Sequence, residues 1–91
     1  MSSRILTVVP GTPVEYKSDT LLTVPTSITI NPNGGTVTVS VKTAIGGTYQ
    51  AVPDGDLSGN ITTVKMACLA GPVNAIKFTA ATQTATVEIA Q

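Results

Sequence analysis

Ninety-one residues with five acids, five bases and no histidine make one small domain, residues 1–91, with no net pull toward nucleic acid or anionic lipid. The missing histidine removes the usual general base, and the lone cysteine, Cys68, excludes an internal disulfide and a multi-cysteine zinc site. Charged residues make up only 11% of the chain, and threonine, with sixteen copies, takes their place; its stiff β-branch favours strands and its hydroxyl tolerates water.

In chain order, residues 1–4 read as loose. Ile5–Val9 is a strand candidate stopped by Pro10-Gly11-Thr12-Pro13, whose prolines fix φ, remove ladder donors and, with Pro25, would blunt an N-terminal sheet edge. The spacing predicts a second short strand over Val14–Lys17, a turn at Ser18-Asp19 and a further strand over Thr20–Val24. Leu21-Leu22 breaks the alternation, as a bulge or a strand buried on both faces would. The strongest local signal comes next. Ser27–Ile30 and Thr36–Lys42 alternate apolar and polar residues on either side of Asn31-Pro32-Asn33-Gly34-Gly35, which predicts a hairpin with a five-residue connection. Ala44–Gly47 bends the chain, Thr48–Val52 is the next strand candidate, and Asp54–Asn60 is a polar loop. Ile61–Ala67 is predicted as a strand with Val64 and Met66 on one face. Val73–Thr79 has Ile76 and Phe78 as its inward pair. Thr84–Ala90 closes the chain, with Val87 and Ile89 on one face and Thr86 and Glu88 on the other. Roughly six to eight short strands separated by Gly/Pro turns predict an all-β fold, a small antiparallel β-sandwich or partly open barrel.

Large side chains are scarce: Phe78, Tyr16 and Tyr49 are the aromatics, and there is no tryptophan. The core must be built from Val, Ile, Leu and Ala, so an isolated domain of this size has little stability to spare. Cys68 lies among apolar residues and reads as a buried free thiol. Ile5–Val9 is too short for the apolar core of a signal peptide, and no apolar run approaches a membrane span. Without an export signal, the Asn60-Ile61-Thr62 glycosylation sequon reads as chance.

Chemistry has few footholds. Asp54, Asp56 and Ser58 place oxygen ligands at the first, third and fifth positions of a calcium-loop pattern, with Gly59 at the sixth. The twelfth position, where a bidentate acid is needed, is Lys65, so the loop reads as a turn with a weak calcium alternative. Gly34-Gly35 and Gly46-Gly47 lack the Gly-Lys-Ser/Thr of a phosphate loop. Arg4, Lys17, Lys42, Lys65 and Lys77 are scattered singly rather than clustered as nucleic-acid contacts would be. Tyr16 and Tyr49 each suit closing an end of the core, or stacking on a ligand. These features predict a non-enzymatic protein without a cofactor.

The segments Gly71-Pro72-Val73-Asn74-Ala75-Ile76-Lys77-Phe78-Thr79-Ala80 and Ala85-Thr86-Val87-Glu88-Ile89-Ala90-Gln91, in a Thr- and Gly-rich chain, resemble the end of small virion proteins of tailed bacteriophages, which often close on such a strand pair. The resemblance covers roughly 40 residues and carries no catalytic or ligand residue with it. It implies a capsid decoration (cement) protein on the head surface, a homotrimer, with the major capsid protein or another virion protein as partner and the virion as location. The alternative is a tail- or fibre-associated β domain that binds a carbohydrate or host receptor, with Tyr16 or Tyr49 as the platform. A bacterial immunoglobulin-like module has similar texture. The final strand carries no proline, which makes Thr84, Thr86 and Glu88 the interface candidates if it is an edge. The other reading is that this strand is central and fully paired within one chain.

Overall fold

Alternation of apolar and polar residues drives eight strands into two four-stranded sheets packed face to face, an open β-sandwich. The structure, a computed structural model, describes residues 3–22, 26–52, 55–69 and 73–90. The strands are β1 (Ser3–Val8), β2 (Val14–Leu22), β3 (Ser27–Asn31), β4 (Thr36–Lys42), β5 (Gln50–Ala51), β6 (Lys65–Cys68), β7 (Val73–Ala81) and β8 (Ala85–Ala90). One sheet has the order β1-β8-β3-β6 and the other β2-β7-β4-β5, with all pairs antiparallel.

The core lies between the sheets. Ile28, Ile30, Val87 and Ile89 enter it from the first sheet, and Val37, Val39, Ile76 and Phe78 from the second. Tyr16 is buried among them, and Leu57 plugs one side from its loop. The predicted inward pair Ile76/Phe78 is buried, as are Val87 and Ile89, expected to share a face; Val64 and Met66, also expected to share a face, are 58% and 73% exposed. Ile61 does enter the core, through a reciprocal pair of backbone bonds to Val37, both 2.9 Å. It covers part of the outer edge of β4 beyond the two residues of β5.

The predicted hairpin at residues 28–41 is instead an arch. β3 and β4 lie in opposite sheets, so Ile28/Ile30 and Val37/Val39 face one another across the core rather than side by side. Alternation dictates which face is buried and is silent on which strand is the neighbour. The crossing is made by buried Pro32, Asn33 at φ 54° and Gly34 at φ 91°. The closing strands behave the same way: β7 and β8 are not a pair but a second arch, turning at Thr82 with φ 71°. Each strand of one arch pairs with a strand of the other, β3 with β8 and β4 with β7.

Smaller differences follow from tertiary pairing. The two short strands predicted over Val14–Lys17 and Thr20–Val24 merge into β2, with a register shift between Lys17 and Leu22 where Ser18-Asp19 was expected to turn. Ser3 and Arg4, expected to be loose, pair with Ala90 and Ile89. Pro10 and Pro13 sit between strands rather than within one, so they do not blunt β1; Pro25 lies outside the described residues.

The two arches touch at Gly35. A Cβ added there would lie 2.6 Å from the Ala81 carbonyl oxygen and 2.9 Å from the Gln83 nitrogen, both backbone atoms that cannot swing away. At Gly34 a Cβ would meet nothing within 4 Å, though its positive φ disfavours a side chain. Gly35→Ala is expected to cost about 2–3 kcal/mol by overpacking, and Gly34→Ala about 1–2 kcal/mol of left-handed backbone strain. Urea midpoints of both variants check this order, and a smaller loss at Gly35 contradicts the arch contact.

Candidate binding face

The outward residues of the first sheet are fixed by parity with its buried ones. Because Ile28, Ile30, Val87 and Ile89 point inward, their strand neighbours point out. Register then sets them in rows: Ile5–Glu88–Thr29–Met66, Ser3–Ala90–Ser27–Cys68, and Thr7–Thr86–Asn31. Glu88 is the one charged residue in those rows. Ile5 and Met66 stand 71% and 73% exposed at opposite sides of the sheet. Where Ser3, Ala90 and Ser27 place small side chains in line, the surface dips into an open hollow of about 180 Å³ bounded by Arg4, Ile5 and Glu88.

Of the interface candidates, Thr86 and Glu88 lie on this face. Thr84 precedes β8 in the second arch, and its carbonyl accepts a hydrogen bond from Asn33 Nδ2 at 2.9 Å. The edge expectation for this strand needs correction, because β8 is paired on both sides, to β1 and to β3. Its backbone is used up, and only its outward side chains are available to a partner. Cys68, expected to be buried, is exposed on the same face, 3.7 Å from the Ser27 hydroxyl. The reason is parity on a strand at the rim: Ala67 turns toward the core and packs against it, so Met66 and Cys68 turn out.

The outer face of the second sheet is different. Register sets Glu15, Lys77, Ser40 and Ala51 in one row. Tyr49, just ahead of β5, lies over this face with the Lys77 and Lys42 ammonium groups 4.7 and 5.4 Å from its ring centroid, within cation–π range. Thirty-five positions separate the two lysines in the chain, which is why they looked solitary in the sequence. The Tyr49 hydroxyl is buried and meets no acceptor in full hydrogen-bond geometry, yet the Glu15 carboxylate is close enough to act on it. Burial first, and Glu15 second, push its pKa up to about 12. Tyr16 is in the core and Tyr49 is engaged by the chain's own lysines, so neither ring stands free as a ligand platform.

The 54–60 loop is held as a turn. Ser58 donates its hydroxyl to the Gly55 carbonyl at 2.7 Å and its backbone N–H to the same oxygen at 3.2 Å, and buried Leu57 anchors the loop to the core. Asp56 is exposed, and Asp54 lies outside the described residues. No group of three or more Cys, Asp or Glu side chains with metal-site geometry occurs among the described residues. Compared with known proteins, the chain matches no family model, no curated protein and no solved structure.

Because the Tyr49 phenol holds its proton more tightly when folded, its contribution to stability is complete below pH 10.0 and is lost as pH rises through about 12. Urea unfolding from neutral pH to pH 12 is expected to show this fall, and Tyr49→Phe is expected to remove that component. At neutral pH the same variant should change stability by less than about 1 kcal/mol, since the hydroxyl has no well-formed bond to lose. A larger loss would mean that the hydroxyl is properly paired.

Proposed function

We propose that the chain is a non-enzymatic structural protein of a tailed-phage virion, a capsid decoration protein that binds the head lattice through the outer face of the β1-β8-β3-β6 sheet and self-associates. The observation that supports it is the character of that face. Its outward rows carry a single carboxylate, Glu88, and otherwise hydroxyl, amide, thiol and apolar side chains on an antiparallel sheet, with Arg4 at the hollow. Burying such a surface needs little charge desolvation, and its hydroxyls can find new partners. Ile5 and Met66 project as apolar contacts, and the hollow at Ala90 can receive a side chain from the other surface. A small core of aliphatic residues gains stability from any partner that binds only the folded state. The phage assignment itself comes from the resemblance of the C-terminal segments.

Sedimentation with purified virions of the phage that encodes the chain tests this reading. The intact protein is expected to pellet with particles in a saturable way. Met66→Lys should weaken binding roughly 10-fold or more, as a charge in a desolvated contact does, while its melting temperature stays unchanged because Met66 is 73% exposed. Protein that stays in the supernatant at saturating particle concentration overturns the proposal. So does binding that neither Met66→Lys nor Glu88→Lys weakens.

A further inference from the structure

An edge strand leaves one row of backbone N–H and C=O groups without strand partners, and proteins usually shorten, bend or charge such edges. Three of the four edges here are treated that way. β5 has two residues; β6 has four and begins with Lys65; β2 carries Glu15 and a register shift between Lys17 and Leu22. β1 is not. Its six residues pair with β8 without interruption, from Ser3↔Ala90 to Val8↔Ala85. It contains no proline, its Arg4 lies opposite Ile89 on the inner side of the sheet rather than in the outward row, and Ser3, Arg4, Ile5 and Thr7 are exposed. Among the described residues no strand pairs with its outer edge.

The sequence of β1 also indicates what fits that edge. Read outward from Ile5, Ser3 mirrors Thr7 and Arg4 mirrors Leu6. If two copies pair antiparallel about a two-fold axis at Ile5, then on the outer face Ile5 meets Ile5, and Ser3 meets Thr7 at both flanks. On the inner side the aliphatic stem of Arg4 lies against Leu6. Hydroxyl pairs and β-branched pairs are favourable cross-strand neighbours. No like charges meet in this register, whereas centring the axis on Arg4 would oppose two guanidinium groups. The pairing also covers Ile5, a large apolar side chain left 71% exposed in the single chain. We infer that β1 is a self-recognition edge: a second copy of this chain adds its own β1 antiparallel, joining two four-stranded sheets into one continuous sheet. The inference rests on the self-association in the reading above and commits it to a two-fold, not to the three-fold that the phage resemblance implies.

The test combines light scattering with cysteine cross-linking. The unmodified chain at ~100 µM, well above the micromolar dissociation constants of weak specific complexes, is expected to have the mass of a dimer, and Ile5→Lys the mass of a folded monomer. In a Cys68→Ser background, Ile5→Cys sets two thiols directly opposite at the axis, within the Cα separation a disulfide tolerates. Mild oxidation should convert that variant to a covalent dimer. Met66→Cys in the same background, on the far rim of the same face, should remain uncoupled. A monomeric or trimeric unmodified chain overturns the inference. So does a Met66→Cys variant that cross-links at least as fast as the Ile5→Cys variant, which would mean face-to-face stacking. Circular dichroism on each variant keeps misfolding from passing as monomerisation. Virion sedimentation scores attachment separately: a dimer that fails to pellet keeps this inference and ends the head-binding reading, and a monomer that pellets does the reverse.

Discussion

The meeting of two sheet-crossing turns at Gly35 is the constraint on which the rest of the molecule depends. Residues 32–35 and 82–84 each carry the chain from one sheet to the other. With no room for a Cβ at Gly35, the first crossing lies directly on the backbone of the second. The Asn33 amide bonds to the Thr84 carbonyl at 2.9 Å, and the Asn33 N–H to Asn31 Oδ1 at 3.0 Å. Once the crossings are set, pairing runs outward from them, Asn31 with Thr86 and Thr36 with Ala81. The four strands so aligned supply Ile28, Ile30, Val37, Val39, Ile76, Phe78, Val87 and Ile89, most of the buried apolar volume. A chain with few aromatics reaches an ordered core this way, by interdigitating aliphatic side chains from two facing arches.

The same arrangement makes the two outer surfaces unlike. The second sheet is wrapped on its own account: Tyr49 lies over it, gripped by Lys42 and Lys77. The first sheet has no such cover among the described residues, and its rows are nearly free of charge. With zero net charge on the chain, little electrostatic repulsion opposes contact between that face and another neutral surface. The arches also decide which backbone is free. They place β8 at the centre of its sheet and leave β1 at the rim, so the bare face and the bare edge adjoin at Ile5.

Much of the fold was legible in the chain because period-2 alternation reports burial directly. The inward pair Ile76/Phe78, the shared face of Val87 and Ile89, a turn within residues 31–35 and the all-β class all rest on that signal. Partner choice was not legible, since Ile28–Val41 reads the same as a hairpin or as an arch. Only the contact at Gly35, forty-six residues from Ala81 in the chain, separates the two, and local pattern cannot see it. Cys68 misled for a related reason: an apolar run in a rim strand has one side turned to water, and the sequence does not say which strand is at the rim. Of the candidate face, Thr86 and Glu88 were readable from parity alone. Ile5, Ser27 and Met66 join them only through pairings between distant segments.

Nuclear Overhauser contacts between backbone protons read strand neighbours directly and so test the interlocked arches at their root. The account predicts cross-strand contacts between Ile30 and Val87 and between Val39 and Phe78, with none between the backbones of β3 and β4. Backbone contacts pairing Ile28–Asn31 with Thr36–Val39 would show a hairpin in one sheet, and with it the core, the bare face and the free β1 edge would all have to be redrawn.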